Sequence, residues 1–208
     1  ALDHLPQERT KGITITAAAT TVPWTPRSGA HEGVEHRIQL LDTPGHIDFT
    51  IEVERSLRVL DGAIFVLDAS SGVECQSETV WRQADRYHVP RLAFINKVDK
   101  VGADIDMCLA DLRERLGARP VLVTLPGENG DILDAVRQEA IHYESGDGRV
   151  YRRRPASVAD AHARLVEACA ELDDEVMQAF CAGKPVSPIA LERALRKGTA
   201  EGTLLPVL

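Results

Sequence analysis

Residues 37–46, Arg-Ile-Gln-Leu-Leu-Asp-Thr-Pro-Gly-His, constrain the fold of this chain more than any other stretch. Ile38, Leu40 and Leu41 form a short apolar run that stops at Asp42, and Pro44-Gly45 then turns the backbone. The pattern predicts a buried strand that delivers a carboxylate to its carboxyl end, where open parallel sheets place their ligands. A glycine at such a rim lets a backbone N–H approach an anion, an acid can hold a hydrated cation, and the imidazole of His46 can orient a water. Taken alone, the segment also fits an ordinary strand and Pro-Gly turn.

A second apolar run, Leu92-Ala93-Phe94-Ile95, ends at Asn96-Lys97-Val98-Asp99, the corresponding rim position of another strand. An Asn-Lys-x-Asp loop there suits guanine. The Asp99 carboxylate can accept from N1–H and the 2-amino group together, Asn96 can brace the loop, and the stem of Lys97 can cover the base. Each tetrapeptide is a weak signal by itself. Two of them at strand ends, in this order, point to a phosphate-hydrolysing switch that reads guanine.

Between and beyond these motifs, strands alternate with helices, which predicts right-handed crossovers and a mostly parallel sheet. Phe49, Val53, Leu57 and Leu60 recur at helical spacing, residues 63–67 form a continuous apolar run expected as a central strand, and helices follow at 76–87 and around Ile105, Leu109, Leu112 and Leu116. Upstream, residues 13–24 and 35–42 read as antiparallel strands joined by a Pro/Gly/Ser-rich loop. Thr14 in the first of them fits a plain strand residue or a hydroxyl ligand for Mg²⁺ on a mobile switch segment. After residue 119 the texture changes. Residues 121–125 read as one strand, and 139–143 and 149–153 as a hairpin around Ser145-Gly146-Asp147-Gly148. Arg152, Arg153 and Arg154 form its dense basic run, read as a charged strand edge with RNA or an acidic protein as the alternative. One long helix is expected through Leu165, Leu172, Val176 and Phe180, with Asp173, Asp174 and Glu175 on a solvated face. A last helix starts at Ser187-Pro188, and a strand runs over 203–208.

The net charge of −8 argues against a general nucleic-acid coat. Cys75, Cys108, Cys169 and Cys181 are scattered and read as buried, reduced thiols, and no apolar run is long enough to span a bilayer. The expectation is a soluble cytoplasmic chain.

The chain resembles the GTP-binding domain of elongation factor G, the translocase of the ribosome. The resemblance is carried by residues 12–16 (Gly-Ile-Thr-Ile-Thr), 42–46 (Asp-Thr-Pro-Gly-His), 76–84 (Gln-Ser-Glu-Thr-Val-Trp-Arg-Gln-Ala), 96–99 (Asn-Lys-Val-Asp) and 196–199 (Arg-Lys-Gly-Thr). Residues 17–21 and 76–84 favour it over the tetracycline-resistance ribosomal protection proteins. It implies an α/β fold, a P-loop-type GTPase domain with a mostly parallel sheet flanked by helices and a small antiparallel α+β insert. Residues 1–125 are then the GTP-binding core with its switch regions, 126–158 the inserted module, and 159–208 the helices and strand that return to the core. By the same resemblance Thr14 and Asp42 serve Mg²⁺, Gly45 donates to the γ-phosphate, His46 positions the attacking water, and Asn96, Lys97 and Asp99 read guanine. The implied cofactors are GTP/GDP and Mg²⁺. The implied partner is the ribosome, through its RNA and stalk proteins, with the protein itself a monomer that is not bound to a membrane.

The departures are specific. No Gly-x-x-x-x-Gly-Lys-Ser/Thr loop occurs in the 208 residues, Lys11 stands where the family has arginine, and the insert looks short around 126–131. The family places its phosphate loop before Ala1 and its Ser-Ala guanine loop just after Leu208. The expectation is therefore a fragment that hydrolyses GTP only within its intact parent. A non-hydrolysing interaction module and a ribosomal protection protein are the alternatives.

Overall fold

Strands and helices alternate along most of the chain, as the apolar runs dictate. The computed structural model describes residues 10, 14, 17–26, 31–44, 50–144 and 151–208. In order, these form β1 (Ala18–Trp24), β2 (His36–Asp42), α1 (Thr50–Leu57), β3 (Ala63–Asp68), α2 (Cys75–Arg86), β4 (Arg91–Asn96) and α3 (Ile105–Glu114). Then come β5 (Pro120–Leu122), β6 (Thr124–Pro126), β7 (Ile132–Asp134), β8 (Glu139–Tyr143), β9 (Tyr151–Pro155), α4 (Ala159–Ala170), α5 (Asp174–Cys181), α6 (Pro188–Ala200) and β10 (Leu205–Val207). They divide into two units, one within Ala1–Asp61 and Glu74–Val89, the other Gly62–Val73 with Pro90–Leu208.

In the first unit β1 and β2 pair antiparallel from Ala18↔Asp42 to Trp24↔His36. The expected buried strand is not found: Ile38 and Leu40 are exposed, because among the described residues β2 has a neighbour on one edge only. Thr14 precedes β1 rather than lying in it. Helix α1 ends at Leu57, so Leu60 lies beyond the stripe formed by the buried Val53 and Leu57. Helix α2 buries Trp81 and Ala84 and opens with a capping box between Glu74 and Ser77. Beyond its end, the Tyr87 hydroxyl donates to Glu54 of α1 at 2.8 Å.

The second unit holds a four-stranded parallel sheet in the order β3-β4-β10-β5. Among the described residues the strand expected to be central, β3, is at the edge of this sheet, with Ile64 and Val66 62 % and 58 % exposed on one face and Leu67 buried on the other. The interior places go to β4 and to β10, the latter bonded to β4 and β5 alike. The run 121–125 is not one strand. Val123 donates to Val207 of the parallel sheet, while its carbonyl accepts from Ala135, so the chain passes there into a second, antiparallel sheet, β6-β7-β8-β9. The hairpin β8–β9 runs from Glu139↔Pro155 to Tyr143↔Tyr151. Its three arginines are each matched by an acid, Arg152 with Glu144, Arg153 with Glu139 and Arg154 with Asp131, on the edge strand of the sheet. This is the charged-edge reading.

The long helix is two helices. Asp173 breaks the run and caps α5, its carboxylate accepting from Glu175 and Val176 N–H and also from the Arg193 guanidinium of α6. It does not belong to a solvated acidic face. Leu165, Cys169, Val176, Leu191, Ala194 and Leu195 from the three helices meet Val121, Ala135, Val136 and Leu204 in the main core. Cys108 and Cys169 are buried as expected, but Cys75 and Cys181 are exposed; all four are free thiols. Gly198 permits the close approach of α6: a Cβ there would come within 2.7 Å of Leu172 Cδ1 and 2.9 Å of Leu204 Cγ.

Candidate functional site

Two loops leave the carboxyl ends of neighbouring parallel strands, where the last register pair is Asp68↔Asn96. Loop 68–73 follows β3 and loop 96–104 follows β4. Backbone bonds join them, from Ala69 N–H to Asn96 O (2.9 Å) and from Asp104 N–H to Ala69 O (2.8 Å). Within the second loop, Lys100 N–H donates to Lys97 O and Ala103 N–H to Lys100 O, two successive turns that carry the chain to the helix α3 cap. Asp104 closes the loop by accepting from Met107 N–H. Helix α3 also holds the first loop: Asp111 accepts from Val73 N–H, and Arg115 donates to Val73 O.

Lys97 sits at φ +59°, in the left-handed region that few non-glycine residues enter. Asn96 Oδ1 accepts its N–H at 2.9 Å and holds it there. The Lys97 ammonium then reaches back to Asp68 Oδ2 at 3.0 Å, and Lys100 Nζ lies 3.4 Å from the same oxygen. Asp68 Oδ1 accepts from the Ser70 hydroxyl (2.6 Å) and N–H (2.9 Å). The Ser70 hydroxyl first, then its N–H and Lys97, hold the Asp68 carboxyl well below the usual carboxylate range. Asp99 is exposed and, among the described residues, has neither a hydrogen-bond nor an ion-pair partner. The arrangement offers a free carboxylate on a braced turn beside a lysine whose stem is fixed at both ends, chemistry that can take a planar base with two adjacent N–H donors.

Asn96, Lys97 and Asp99 are thus brought together in the second unit. Asp42 ends β2 in the first unit, half-buried and paired in the ladder with Ala18; Thr14 is half-buried in the same unit. Gly45 and His46 lie outside the described residues. A cavity of about 420 Å³, lined in part by Leu109, Arg113, Val121, Ala161 and Arg164, includes none of these residues. Asp68, Ser70 and Lys100 were not singled out by the sequence. The available signal was an apolar run ending at an acid, the same pattern that marks Asp42.

The sequence model of the family described as the elongation factor Tu GTP binding domain matches residues 1–200. Among solved structures, a protein of Thermus thermophilus is 28 % identical, with a TM-score of 0.77. The match covers 99 % of this chain and 31 % of that protein.

Proposed function

This chain belongs to the family of the elongation factor Tu GTP-binding domain, and from that premise we propose that it is part of a ribosome-dependent translational GTPase that moves tRNA and mRNA during elongation. In this reading the loop 96–99 reads guanine. Asp99 accepts from N1–H and the 2-amino group, Asn96 keeps the turn in place through Lys97 N–H, and the Lys97 stem lies across the base. The observation that carries the reading is the free carboxylate of Asp99 on a loop already braced by Asn96, Ala69 and Asp104.

Thr14 would ligate Mg²⁺ through its hydroxyl, and Asp42 would hold the ion through its bound waters. The half-buried Asp42, its backbone fixed in the β1–β2 ladder, suits this task, because magnesium keeps several waters and takes only one or two protein oxygens beside the phosphates. When bound, the ion neutralises charge on the phosphate oxygens. Gly45 donates its N–H to the γ-phosphate, and His46 orients the attacking water, in keeping with a reaction helped chiefly by positioning and charge. The intact protein acts in the cytoplasm as a monomer, against ribosomal RNA and stalk proteins.

The test is Asp99→Asn in the intact protein. Xanthine presents a carbonyl where guanine has its 2-amino donor, so the variant is expected to lose GTP and gain XTP. Loss of one charged hydrogen-bonding partner costs about 1.5–3 kcal/mol. An unchanged GTP/XTP preference in competition binding refutes the assignment of this loop.

A further inference from the structure

We propose that Asp68 is a positioning residue for nucleotide binding: it anchors the Lys97 ammonium, so that the aliphatic stem of Lys97 is set across the base before the nucleotide arrives. The inference rests on reading 96–99 as the guanine loop.

Three observations lead to it. First, the two oxygens of Asp68 have separate tasks. Oδ1 is held by the Ser70 hydroxyl and N–H, which fixes the plane of the carboxylate, and Oδ2 is left facing Lys97 and Lys100. Second, the lysine is constrained at both ends. Its backbone is set at φ +59° by the bond to Asn96 Oδ1, and its Nζ is set by Asp68. A lysine side chain loses considerable rotamer entropy when ordered, and a contact that orders it beforehand lowers that cost at binding. Third, the acid is the sheltered member of the pair, its side chain 20 % exposed against 59 % for Lys97, so the anchor is fixed and the lysine is the part presented to solvent.

Both neighbouring ammonium groups are directed to Asp68. Lys97 and Lys100 flank Asp99 in sequence, yet Asp99 remains open to a base. Asp68 thereby acts on the base through the Lys97 stem alone, without touching the base itself. Its position is dictated by register, since Asp68 and Asn96 are the terminal pair of the β3–β4 ladder.

The experiment measures dissociation of fluorescent GDP and IDP from the intact protein, for Asp68→Asn, Asp68→Glu, Lys97→Met, Lys97→Ala, the double variant Asp68→Asn/Lys97→Ala, and Asp99→Asn. Inosine lacks the 2-amino group. A loss transmitted through the lysine stem therefore falls equally on GDP and IDP, whereas a loss at the Asp99 edge does not. Asp68→Asn keeps an oxygen for Ser70 and is expected to speed release of both nucleotides about three- to tenfold, as suits a partly exposed charged contact. Asp68→Glu should recover part of this. Lys97→Met, which keeps the stem and removes the ammonium, should resemble Asp68→Asn and serves should that variant fail to fold. In the Lys97→Ala background Asp68→Asn should add less than about twofold.

Equal effects of Asp68→Asn with and without the lysine overturn the proposal, because the acid then acts only through the Ser70 turn. Normal release from Asp68→Asn and Lys97→Met also overturns it; if Asp99→Asn still favours xanthine nucleotides, the guanine reading stands without it. If Asp99→Asn leaves base preference unchanged, the guanine reading itself falls.

Discussion

Gly198→Ala sets two effects of opposite sign against each other in the last turn of α6. An alanine gains at most about 1 kcal/mol over glycine in a helix. The added methyl, however, would lie 2.7 Å from Leu172 Cδ1, 2.9 Å from Leu204 Cγ and 3.0 Å from Leu204 Cδ1, well inside the roughly 3.5–4.0 Å of a comfortable carbon contact. Leu172 presents the end of a side chain and can turn aside. Leu204 cannot: its N–H is bonded to Gly198 O, and the next residue enters β10 with its N–H on Arg119 O. Overpacking of this kind costs about 1–3 kcal/mol. With one neighbour yielding and the other fixed, the cost falls near the middle of that range, and the net expectation is destabilisation by about 1 kcal/mol. Urea unfolding followed by far-ultraviolet circular dichroism measures it, the two tryptophans being confined to the other unit. The same substitution in a Leu204→Ala background, where the space is open, should be neutral or stabilising. A stabilised single variant, or equal effects in the two backgrounds, would refute the steric account of this glycine.

Asp173 should govern part of the acid limb of stability. Its carboxyl is lowered to about 2, first by the Arg193 hydrogen bonds, so its contribution is present above the ordinary carboxylate range near pH 4 and is lost as the pH falls through about 2. Asp173→Asn keeps the helix cap and removes the ion pair, which after allowance for the exposed Arg193 should cost about 1 kcal/mol at pH 6, shrink as the pH falls toward 2 and disappear below it; parallel stability curves for the two proteins would exclude this. His46→Ala in the intact protein should leave GTP affinity nearly unchanged and slow ribosome-stimulated hydrolysis about 10²–10⁴-fold. Equal losses of affinity and rate, measured by nucleotide titration and steady-state turnover, would remove the water-positioning role.

The parts of this fold legible in the sequence are those set by local runs. The apolar stretch 63–67, the stripe of α3 and the Ser187-Pro188 start of α6 specify their elements within a few residues. The errors have non-local causes. Val123 divides one apolar run because it bonds to two sheets at once, one contact lying 84 positions along the chain at Val207. Helical periodicity continues from Leu165 to Phe180 across a break, because α4 and α5 both face the same core while Asp173 is held by Arg193 on another helix. At the candidate site, Asn96, Lys97 and Asp99 are recognisable as a motif. Asp68 is not, since its meeting with Lys97 follows from strand register and not from spacing. Likewise, the arginines of β9 gave a basic run whose acids, Glu139, Glu144 and Asp131, could be matched to them only in three dimensions.

The placement of β10 has a consequence for how the second unit is made. This strand lies between β4 and β5, so neither acquires its shared neighbour until residues 205–207 have been synthesised. Roughly 80 residues separate Leu122 from Leu205, and closing a flexible loop of that length carries an entropy cost that grows with the logarithm of its size. Those residues fold into the antiparallel sheet and helices α4 to α6, whose contacts are largely with one another. If they order first and shorten the effective loop to roughly 10 links, the closure term drops by about 2 kcal/mol. The appended sheet and helices then act as an internal splint, bringing β10 back to an opening left between two strands made long before it.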